Sequence, residues 1–79
     1  MLSPTQVADT YFLESRHQLL EIAAYFDRYD AAVARAGDRN GHAPAARKLE
    51  VIREALAIIA EEKPTQERTV ALLELFTTV

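Results

Sequence analysis

The stretch that decides the fold runs from Ser3 to Gly37 and reads SPTQVADTYFLESRHQLLEIAAYFDRYDAAVARAG. It opens with Ser3-Pro4-Thr5-Gln6, in which Ser3 can cap a helix, Pro4 suits the first helical position and Gln6 completes a Ser-x-x-Gln box. No further proline or glycine interrupts the run until Gly37, which takes the left-handed C′ conformation without a Cβ penalty, and Arg35 suits the negative end of the dipole. The punctuation predicts helix 1 over about 4–36. At a rise of 1.5 Å per residue such a helix is about 50 Å long, several times the ordinary length, and it suits a bundle.

Outward from this rod, Gly37-Asp38-Arg39-Asn40-Gly41-His42 collects both glycines with an Asp and an Asn, so the chain is expected to reverse there. Pro44 fits a first helical turn, and Ala45 to Glu62 hold no breaker before Pro64. The sequence therefore predicts helix 2 over about 44–62. Pro64 can also start a further helix, with Glu67 near its positive end, giving a short helix 3 over about 64–76. Period-2 alternation of β-branched residues is absent and there is no internal repeat. The predicted fold is all-α, a single helical domain over 1–79: a long helical hairpin plus the short helix 3, dimerising into a helical bundle.

Composition bounds the function. The chain has 79 residues, 49% of them hydrophobic and 27% charged, and carries a formal charge of -3 with no Cys. A chain this short has little interior for a catalytic cleft. The lack of Cys removes disulfide staples, thiolate zinc sites and Cys nucleophiles, so stability must come from apolar packing. Net acidity argues against nucleic acid, and helix 3 offers only Arg68 as a base for a DNA-reading role. No run approaches the length of a membrane span, and no helix has the basic face that binds lipid surfaces. A cytoplasmic, soluble protein with no membrane partner is expected.

Projection at 100° per residue places Ala8, Phe12, Leu19, Ile22, Ala23, Phe26, Tyr29 and Val33 on one stripe of helix 1, the expected core face that should meet helix 2. Phe12, Leu19, Phe26 and Val33 recur every seven residues, with Ser15 the weak layer between Phe12 and Leu19. The matching stripe of helix 2 is Ala45, Leu49, Ile52, Ala55, Leu56, Ile59 and Ala60. More apolar side chains exist than one hairpin hides: Leu13 and Leu20 on helix 1, Val51 and Ile58 on helix 2, and Leu72 and Leu75 on helix 3 lie off the central stripes. These six are the predicted interface of a homo-oligomer, most simply a two-fold dimer, or the surface offered to another protein. Folding of helix 3 back over the flanks of a monomeric three-helix bundle is the alternative.

Arg16, Asp27 and Asp30 fall on or near the helix 1 stripe, with Asp9 on the flank that Arg16 occupies. Polar groups there are expected to pair and to fix the register between helices, with Lys48 or Arg53 as partners for Asp27 or Asp30. A small polar pocket at a dimer interface, lined by these carboxylates and the hydroxyls of Tyr11, Tyr25 or Tyr29, is the functional counterpart.

Catalytic constellations are wanting: Ser3 reads as a cap, Ser15 lies on the stripe, and the two glycines match no phosphate-binding loop. Glu14-Ser15-Arg16-His17 is a Glu-x-x-His tetrapeptide, similar to the ligand spacing of ferritin-like diiron bundles. That resemblance implies iron or manganese held by Glu14 and His17, with Glu62 or Glu61 contributing across a dimer. The projection opposes it, because Glu14, His17 and Glu21 point away from the stripe whereas bundle ligands point inward. The sequence thus favours a non-catalytic interaction or oligomerisation module without a cofactor, and keeps the metal-binding bundle as its alternative.

Overall fold

The computed structural model describes residues 1–37 and 43–79. Among them three α-helices follow one another: α1 (Pro4–Ala36), α2 (Ala43–Ala60) and α3 (Arg68–Phe76). Among the described residues there is no strand, so the fold is all-α. The reversal expected between Gly37 and His42 falls on 38–42, outside the described residues. The chain divides into two compact units, Met1–Asp38 and Arg39–Val79.

The N-terminal unit is α1. Its start follows from local chemistry: Ser3, in an extended conformation, accepts the Gln6 amide at 3.1 Å through its hydroxyl, while the Ser3 amide donates to Gln6 Oε1 at 2.8 Å. Two of the four orphan amides of a helix start are thereby satisfied, and Pro4 at the first position has none to satisfy. At the other end the Gly37 amide donates to the Val33 carbonyl at 2.9 Å, with φ +72° and ψ -164°. That pair differs from the left-handed helical cap expected of glycine. It lies in an extended region at positive φ that is open essentially to glycine alone, which explains why the helix stops there.

The C-terminal unit packs α3 against α2. α2 stops at Ala60, two residues before the predicted end, and α3 begins at Arg68, four residues after the predicted start. Pro64 offers no amide to the Ala60 carbonyl and disfavours helical geometry at Lys63, so the helix gives way one turn earlier. The Lys63 amide turns instead to Glu61 Oε1 at 3.2 Å, and the Arg68 guanidinium donates to the Glu61 carbonyl. Arg68 thus ties the end of α2 to the start of α3. Gln66 reaches across α3 to Glu74 (Nε2 to Oε2, 3.5 Å). A helix begun at Pro64 would carry straight through this turn. Leaving 61–67 non-helical lets the apolar side of α3 meet α2. α3 ends on hydroxyls: Thr77 Oγ1 donates to the Glu74 carbonyl at 2.6 Å and Thr78 Oγ1 to that of Leu75 at 2.7 Å.

Leu49, Val51 and Ala55 of α2 are the buried residues of the core, with Ile52, Leu56 and Ile58 half-buried around them. On α3 the half-buried residues are Arg68, Ala71, Leu72 and Leu75. Val51, Ala55 and Ile58 follow one another at helical spacing, so they form one face of α2. That face includes the flank that the sequence leaves spare, and within a single chain its first member is covered: Val51 is 3% exposed.

Candidate interaction surface

Along α1 the exposure of the apolar stripe changes halfway. From Ile22 onward the stripe is half-buried at Ile22, Phe26, Tyr29 and Val33, and the rings of Tyr25 and Phe26 stack with centroids 5.9 Å apart. Every residue from Pro4 to Glu21 is exposed. Phe12 is 63% exposed, Leu19 56%, Leu13 72% and Leu20 57%. Four large apolar side chains on about 12 Å of helix axis form a contiguous patch, of the kind that marks an interaction site more than ordinary surface.

The patch has relief. Phe12, Ser15, Arg16, Leu19 and Leu20 line a shallow recess of about 460 Å³. Seven-residue spacing sets Phe12 and Leu19 two turns apart along it. Arg16 lines the recess and Asp9 lies one heptad earlier on the same side of the helix. The ion pairs among the described residues are His17–Glu21, Arg47–Glu50 and Arg47–Glu54, and neither Asp9 nor Arg16 takes part in one.

The six predicted interface residues are therefore treated unequally by the fold. Leu13 and Leu20 are exposed on α1; Ile58, Leu72 and Leu75 are half-buried in the C-terminal unit; Val51 is buried there. A second recess, of about 440 Å³, lies beside the α2–α3 turn between Ile58, Pro64 and Ala71. Arg16, Asp27 and Asp30, assigned to polar positions near a core, are all exposed.

Of the predicted metal ligands, His17 lies 3.0 Å through Nε2 from Glu21 Oε1, an i,i+4 pair on the solvated side of α1 with both side chains about two-thirds exposed. Glu14 is exposed one turn before it, and Glu62 lies beyond the end of α2 in the 61–67 turn. Among the described residues no three His, Asp or Glu side chains are gathered where they could hold one metal ion. Nor is any described helix long and apolar enough to cross a membrane.

Which half of the stripe stays open was missed in the sequence. Periodicity marks a stripe along its whole length, and nothing in the seven-residue spacing says where exposure begins. The short Ser15 side chain between Phe12 and Leu19 is the signal that could have marked the recess.

Comparison with protein-family models, with curated proteins and with solved structures gives no match for this chain.

Proposed function

We propose that this chain is a small non-catalytic interaction module that works as a homodimer, with the exposed apolar half of α1 as its association surface. The observation that carries the reading is the run of Phe12, Leu13, Leu19 and Leu20, each more than half exposed on a helix with no buried residue of its own. Burying such side chains is worth about 1.5–3 kcal/mol each at full coverage, so two copies gain substantially by covering them. A helix whose first half is exposed on all sides has little to hold that half, since most helical stability in proteins comes from packing an apolar face. Association supplies that packing. The same surface is suited to an unidentified protein partner that presents a matching apolar helix.

The test is substitution on the surface with the fold as control. Phe12→Ser with Leu19→Ser removes two large apolar side chains of the recess and leaves the C-terminal unit untouched. The reading expects the molar mass by light scattering to fall from two chains to one. A variant that keeps the mass of the unaltered dimer would remove this surface from the interface.

A further inference from the structure

We draw no further inference here: the strongest candidate, the exposed apolar patch of Phe12, Leu13, Leu19 and Leu20 on the first half of α1, carries nothing beyond the proposal already made, because nothing in the structure shows what covers it.

Discussion

Val51→Ala is a stringent perturbation of the C-terminal unit, because the sequence placed Val51 on a partner-facing flank and the fold buries it within one chain, at 3% exposure. The substitution removes two methyl groups from a closed site. At about 0.8 kcal/mol per buried methylene-sized group the transfer loss is about 1.6 kcal/mol, and an unfilled cavity adds up to about 1 kcal/mol. A chain of this size has about 4–12 kcal/mol of stability in all, so the loss is a large fraction, and at 4–8 °C per kcal/mol the melting temperature should fall by about 6–20 °C. Ile59→Ala on the same helix is the control, since Ile59 is 46% exposed and should lose markedly less although more atoms are removed. Urea unfolding followed by circular dichroism at two concentrations tenfold apart is the assay. Equal losses at Val51 and Ile59 would refute the burial argument. A Val51→Ala loss that grows on dilution would show that the site is covered by a second chain.

Ser3→Ala removes the acceptor of the Gln6 amide and should cost about 0.5–2 kcal/mol, read as faster hydrogen exchange in the first turn of α1 with the rest of the helix unchanged. Gly37→Ala should cost about 1–3 kcal/mol although nothing lies within 4 Å of the added Cβ, because the dihedral pair and not space excludes it; Gly37→Asn should rescue nothing, whereas a left-handed helical cap would tolerate it. Arg68→Met should destabilise the C-terminal unit by about 1–2 kcal/mol by orphaning the Glu61 carbonyl, measured by urea unfolding against Arg47→Met, which breaks only exposed pairs and should change stability by less than about 0.5 kcal/mol. His17→Ala should change stability by less than about 0.5 kcal/mol, as expected of a surface i,i+4 pair, and a larger loss would give His17 a role beyond its contact with Glu21.

The helix starts and stops that were legible in the sequence are those decided locally. Ser3, Pro4 and Gln6 carry their own hydrogen-bond partners within one turn, and Gly37 is the residue its dihedral pair demands, so both ends of α1 could be read from the chain. Pro64 was ambiguous because one residue type serves both as a first helical position and as a breaker. Which role it took was settled by Arg68 reaching the Glu61 carbonyl and by the apolar side of α3 meeting α2, and neither is visible in a local window. The proposed association surface divides in the same way. Heptad spacing of Phe12 and Leu19 and the outward projection of Glu14 and His17 follow from helical geometry alone. Periodicity marks a face and not what packs on it, so it does not separate Val51, 3% exposed, from Phe12, 63% exposed.

The central claim, that two copies of this chain associate through the open half of α1, is tested most directly by sedimentation equilibrium of the unaltered protein over a wide concentration range. The account predicts a reversible dimer of the 8.8 kDa chain, with helix content by circular dichroism falling on dilution as α1 loses its cover. A monomer at every concentration, with helix content constant throughout, would contradict it.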